Sequence, residues 1–124
     1  SALRARLAAV EGRSGLKTEV HVEGERRLPI KMEEELYRIA QEGLNNVVKH
    51  AGATQVQIRL KYGERAVSLE LIDDGRGFAP EAASQSGGFG LQGIQERVQQ
   101  LGGTLNIESA PQRGTHLSVK IPVE

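Results

Sequence analysis

Three side chains with complementary chemistry lie at four- and three-residue steps between Glu33 and His50: the carboxylate of Glu42, the amide of Asn46 and the ammonium of Lys49. At about 100° per residue they share one polar edge of a helix, spread over roughly 10 Å of axis. Such a row can offer a base, a metal ligand and a phosphate-binding cation to one bound molecule. An ordinary solvated face laced by i,i+4 polar pairs would look the same. The rest of the chain has to separate the two readings.

Glycine is the second signal. The chain has 15 glycines, dense at 75–77, 87–93 and 102–103. Asp73-Asp74-Gly75-Arg76-Gly77-Phe78 ends a strand pattern, and glycines there let backbone approach a ligand closely. It lacks the acidic spacing of a calcium loop. Gly88-Phe89-Gly90-Leu91-Gln92-Gly93 matches G-x-G-x-x-G, with Glu108 about twenty residues on, but residues 79–87 before it have no strand character. The dinucleotide reading therefore fails. What survives is a glycine loop feeding a helix whose N-terminal N–H groups suit an anion such as phosphate. No Gly-Lys-Ser/Thr follows the glycines, so a Walker loop is excluded. Gly114-Thr115 opens the last strand and on its own is a turn.

The elements that must carry these groups are legible from periodicity. Leu36, Ile39, Ala40, Leu44, Val47, Val48 and Ala51 give the core stripe of the Glu33–His50 helix. Residues 2–11 read as a short helix, with Leu3, Leu7 and Val10 at helical spacing. Lys17 to Glu23 alternates as a half-buried strand. Val56 to Tyr62 and Val67 to Ile72 form an antiparallel hairpin around Gly63 to Arg65. A helix from Leu91 to Leu101 stops at Gly102-Gly103, and strands at Thr104 to Ser109 and Thr115 to Pro122 close the chain. Alternating strands cannot be covered by helices on both faces. The expected fold is therefore α+β, a two-layer α/β sandwich with a mixed, mostly antiparallel sheet of about five strands and about three helices on one face.

Composition removes several function classes. The 124 residues suit one domain. Net charge is zero, with 26% charged residues, so nothing recommends nucleic acid or an anionic membrane as partner. Aromatics are only 3%, too few for a base-stacking platform. The longest apolar runs are a few residues, too short to span a bilayer. The absence of cysteine fits a cytoplasmic setting and removes thiolate metal sites.

Taken in this order, the segments resemble the GHKL superfamily of ATP-binding (Bergerat) domains, shared by histidine kinases, gyrase-type topoisomerases, Hsp90 and MutL. Glu42-x-x-x-Asn46-x-x-Lys49-His50 resembles its N box, Asp73-x-Gly75-x-Gly77 its G1 box and Gly88-x-Gly90-Leu91 its G2 box. Gly114-Thr115 with Leu117, Val119, Ile121 and Pro122 resembles the closing strand. The resemblance covers roughly residues 17–122. Within the superfamily, Tyr37 to Ala51, Gly93 to Val98 and Leu101-Gly102-Gly103 are most similar to sensor histidine kinases of the nitrate-sensor type, which pair with NarL/LuxR-like response regulators. Two departures are Asp74, where many kinases carry Asn, and Gly43, where Ala is usual and Gly costs up to about 1 kcal/mol of helix propensity.

The resemblance implies roles. Asp73 would accept the adenine amino group, with Thr115 supporting it. Asn46 would ligate Mg²⁺, Lys49 would neutralise phosphate charge, and His50 would lie near the phosphates. Glu42 would act as a base or orient a water or the incoming nucleophile. Gly75 and Gly77 would pass close to the nucleotide, Gly88 and Gly90 would let a lid close over the triphosphate, and the helix opening at Leu91 would offer its N-terminus. The cofactors implied are ATP and magnesium. No acceptor histidine is evident, since His21 and His116 fall in strands and His50 belongs to the nucleotide site. The chain therefore reads as the catalytic and ATP-binding part of a longer kinase, monomeric by itself and without direct membrane contact. It would act on a phosphoacceptor histidine hairpin of a homodimeric, membrane-anchored or cytoplasmic parent. Competing readings are an anti-sigma-factor serine kinase and a degenerate nucleotide-binding interaction module.

Overall fold

The structure, a computed structural model, describes residues 17–25, 27–47, 53–75, 91–109 and 114–123. Five strands and two helices follow in the order β1 (Lys17–Glu23), α1 (Ile30–Asn46), β2 (Gln55–Tyr62), β3 (Ala66–Asp73), α2 (Leu91–Gln100), β4 (Thr104–Ser109) and β5 (Thr115–Pro122). The expected helix at residues 2–11 lies outside the described residues.

The strands form one sheet in the order β1-β2-β3-β5-β4. The β1–β2 pair is parallel, as a strand-helix-strand crossover requires, and all other pairs are antiparallel. Register puts Ile58, Leu71 and Leu117 in one row and Leu60, Leu69 and Val119 in the next. These residues are buried beneath the helices. The alternate residues, among them Arg59, Glu70 and Ser118, belong to the other, polar face. The two-layer expectation thus holds, with both helices against one side.

Helix α1 begins at Ile30, three residues before the position its charge pattern suggests. Pro29 is its N-cap, with φ −54° and ψ 141° and no side-chain cap, and the Pro29 carbonyl accepts the Glu33 N–H at 3.1 Å. The helix buries Leu36, Ile39, Ala40, Gly43 and Leu44. Gly43 marks a close approach to the sheet: a Cβ there would stand 2.6 Å from Leu71 Cδ2. This accounts for glycine where helix propensity favours alanine.

Helix α2 buries Ile94 and Val98 and ends in a Schellman turn. The Gly103 N–H bonds the Val98 carbonyl at 2.9 Å and the Gly102 N–H bonds that of Gln99 at 3.0 Å, with Gly102 at φ +72°.

Candidate functional site

Strands β3 and β5 bring Asp73 and Thr115 opposite one another. Two-residue alternation from Leu71 and Leu117 puts both on the helix-covered side of the sheet. The Asp73 Oδ1 accepts the Gly75 N–H at 2.8 Å. Partial burial raises the Asp73 pKa above its ordinary value; hydrogen bonds from the Gly75 and Thr115 backbone oppose this, and the neighbouring charge of Asp74 adds to it. The carboxylate is therefore a half-desolvated acceptor, the kind of group that rewards a hydrogen-bond donor strongly.

Backbone geometry frames this acceptor. Gly114 sits at φ +74°, and a Cβ there would fall 2.3 Å from the Asp73 carbonyl oxygen. Only glycine fits. The adjacent Ser109 hydroxyl lies 3.0 Å from the Gly114 carbonyl and 3.0 Å from Thr115 Oγ1. A carbonyl can only accept, so Ser109 spends its proton there and Thr115 donates to Ser109. The Thr115 oxygen keeps its remaining capacity as an acceptor. Both side chains at the end of β3 and β5 therefore present acceptors.

Asp74 has a different task. Its Oδ1 accepts the Thr54 and Gln55 N–H groups at 2.9 and 3.0 Å, and its Oδ2 accepts the Thr54 hydroxyl at 2.5 Å. The Thr54 hydroxyl leads, with the Gln55 and Thr54 N–H groups, in lowering the Asp74 pKa. This buckle ties the start of β2 to the end of β3 and fixes the strand end that carries Asp73.

The polar edge of α1 lies close by. Gly43 packs on Leu71, two residues and about 7 Å along β3 from Asp73. Glu42 Oε2 and an Asn46 amide atom, Nδ2, are buried and have no hydrogen-bond partner among the described residues. Buried polar groups are normally satisfied, so this edge has unspent capacity for a bound group. Glu42 Oε1 accepts the Arg97 Nε–H at 3.1 Å, and Arg97 Nη1 donates to Glu35 Oε2 at 2.8 Å. These two carboxylates, Glu35 first, raise the Arg97 pKa.

Among the described residues no group of three or more His, Cys, Asp or Glu side chains gathers. A cation at this edge would rest on the Asn46 amide and on oxygens of its own ligand, a donor set that suits magnesium, which keeps its waters and leans on phosphate. The amide can present oxygen or nitrogen by a half-turn of its terminal torsion, so its buried, unpartnered position fits that group.

Of the residues expected at the site, the structure thus brings together Asp73, Gly75 and Thr115 at the strand ends and Glu42 and Asn46 on the helix above. Leu91 opens α2. Lys49, His50, Gly77, Gly88 and Gly90 lie outside the described residues. Sequence reasoning assigned no role to Arg97, Glu35, Ser109 or Thr54. The one faint signal was Glu35 and Glu42, seven residues apart and hence on one helix face, facing a basic residue elsewhere.

A domain with this sheet order, its helices on one face and its acceptors at the β3 end defines an ATPase class that comparison with known proteins makes specific. The chain belongs to the histidine kinase-, DNA gyrase B-, and HSP90-like ATPase family, whose model matches residues 31–124. It is 46% identical over 87 residues, 70% of its length, to the signal transduction histidine-protein kinase/phosphatase UhpB of Salmonella typhimurium. It is 36% identical over 103 residues, 79% of its length, to a sensor-like histidine kinase of Chloroflexus aurantiacus. It spans 17% of the length of each of these relatives. In fold it resembles the blue-light activated histidine kinase of Erythrobacter litoralis, with a TM-score of 0.78 at 24% identity, covering 98% of this chain and 39% of that one. The histidine kinase AdeS of Acinetobacter baumannii gives 0.73 at 18% identity, covering 98% of this chain and 59% of the other. The chain is a histidine-kinase-type ATPase domain.

Proposed function

We propose that this domain binds Mg-ATP and delivers the γ-phosphoryl group to a histidine on a separate, dimeric helical hairpin of its parent kinase, for relay to a NarL/LuxR-type response regulator. The observation that carries the reading is the half-buried Asp73 acceptor, framed by Gly75, Gly114 and Thr115. Its geometry suits the exocyclic amino group of adenine. Thr115, with its proton committed to Ser109, would accept as well, directly or through a water.

Asn46 would hold magnesium against the phosphates, and the ion would supply charge neutralisation there. Lys49 and His50 follow Asn46 in sequence and would contact the phosphates. Gly88 and Gly90 would let the segment before α2 close over them, with the α2 N-terminus offering N–H groups. Glu42 would orient the incoming nucleophile or accept its proton. Phosphoryl transfer needs mainly positioning and charge stabilisation, which this set provides.

The likeness to kinases named for histidine favours a histidine acceptor over the serine of an anti-sigma-factor kinase. Among the described residues no helix is long and apolar enough to cross a membrane. The domain would work in the cytoplasm, whatever anchors its parent.

The test is transfer from labelled ATP, with magnesium, to a separately supplied histidine hairpin of the same kinase type. Acid-labile label on the hairpin and none on the 124-residue chain is expected. Label on the chain's own histidines would contradict the reading, as would an unlabelled hairpin.

A further inference from the structure

The Glu35–Arg97–Glu42 cluster bridges α1 and α2 beside the proposed site. None of the roles assigned above uses Arg97. Its side chain is 28% exposed, and its two carboxylate partners are 17% and 32% exposed. Partial burial of all three limits solvent screening. The guanidinium is a rigid fork with separate donors, and here it spends Nε on Glu42 and Nη1 on Glu35.

Gly93 lies one turn before Arg97 on the same face of α2. A Cβ at Gly93 would stand 3.2 Å from Glu42 Oε2. One turn of α2 thus makes a seat for a single carboxylate: Arg97 holds Oε1, and the bare backbone at Gly93 lets Oε2 pack closely against the helix. That second oxygen is buried and unpartnered among the described residues. A flexible glutamate is thereby held with one oxygen occupied and one in reserve.

We propose that Arg97 is a positioning residue for phosphoryl transfer: it clamps Glu42, with Glu35 as its counter-anchor, so that Oε2 alone accepts a hydrogen bond from the group at the nucleotide's reactive end. This rests on the reading of the chain as an ATP-dependent kinase domain. Arg97 touches neither nucleotide nor acceptor in this account and acts only through the carboxylate.

An ion pair that merely joined two helices would change stability and leave turnover intact. The test therefore compares wild type, Arg97→Met, Arg97→Lys, Glu42→Gln and the double variant Arg97→Met/Glu42→Gln in the full chain. Mg-ATP affinity is read by calorimetry, melting temperature by circular dichroism, and kcat and KM by transfer to the hairpin. Arg97→Met is expected to change ATP affinity less than threefold and to lower kcat at least tenfold. Arg97→Lys, which keeps the charge but cannot fork, is expected to restore the melting temperature while recovering only part of kcat. In the Glu42→Gln background, Arg97→Met is expected to have no further effect on kcat, because residues acting as a unit are not additive.

Additive losses, or wild-type kcat in Arg97→Met, would overturn the proposal and leave the kinase reading standing. If Arg97→Met does not fold, Arg97→Lys decides: a wild-type kcat at restored melting temperature overturns the clamp. If the wild-type chain neither binds Mg-ATP nor labels the hairpin, the kinase reading falls and the clamp with it.

Discussion

Burial and hydrogen bonding pull the Asp73 carboxyl in opposite directions, and burial prevails, so its pKa stands above the ordinary aspartate value. In the proposed mode the adenine amino group donates to the ionised carboxylate, the stronger acceptor, so a proton would compete with the nucleotide. Mg-ATP affinity should therefore fall as pH drops through that raised value, beginning above the range where an exposed aspartate protonates. Titration calorimetry at a series of pH values checks this, with Asp73→Asn as the variant in which this component is flat. Asp74 behaves oppositely. Its folded pKa lies below the unfolded one, so its contribution to stability is present above the unfolded aspartate value and is lost as pH falls through the folded one. Asp74→Ala should cost about 0.5–1.5 kcal/mol at neutral pH, with exposure holding the loss below the sum of three hydrogen bonds. The gap to wild type should close in acid. Asp74→Asn should keep most of the stability, since its amide oxygen can accept both backbone N–H groups and its amide nitrogen can donate to the Thr54 hydroxyl.

At the scale of elements, two glycines mark close approaches, one that only glycine allows and one where a larger residue must displace a core side chain. Gly114→Ala would force a Cβ against the Asp73 carbonyl at a φ of +74°. It should destabilise by about 2–4 kcal/mol in urea titrations and weaken ATP binding through the displaced strand end. Gly43→Ala gains up to about 1 kcal/mol of helix propensity but must shift the buried Leu71, an overpacking cost of about 1–3 kcal/mol. A net loss of up to about 2 kcal/mol is expected, whereas a gain would mean that the core yields freely. The strands and the α2 stop were legible because alternation and paired glycines act locally: the bounds of β1, β4 and β5 follow from sequence alone. Asp73, Asn46 and Glu42 are expected at the site from the resemblance of their boxes, taken in order, to a known family, and their roles remain part of the proposal. The Ser109–Thr115 hydrogen bond and the Arg97 clamp were not legible, because they join residues whose meeting is decided by sheet register and helix docking. No local pattern marks them. The start of α1 is less legible for a simpler reason: the glutamate run at Glu33 to Glu35 points to a first turn three residues later than Ile30.

The molecule as a whole is a sheet with one face committed to helices and core and the other polar. The proposed nucleotide site therefore lies between the layers, at the end of β3 and beside the polar edge of α1. A ligand there binds only the folded state, so Mg-ATP should raise the melting temperature by an amount set by its concentration over its dissociation constant, about 2.7 kcal/mol of stabilisation at a hundredfold excess. Asn46→Ala should lose most of the magnesium-dependent part of that shift. The central claim, however, is that Asp73 reads the adenine amino group. The most direct measurement compares affinities for ATP and inosine triphosphate, which carries a carbonyl in place of that amino group, in wild type and Asp73→Asn. Leaving a buried acceptor facing an acceptor is costly, so wild type should prefer ATP by at least about tenfold, and Asp73→Asn should collapse or invert that preference. Equal affinities in wild type, or the same preference in the variant, would contradict the account.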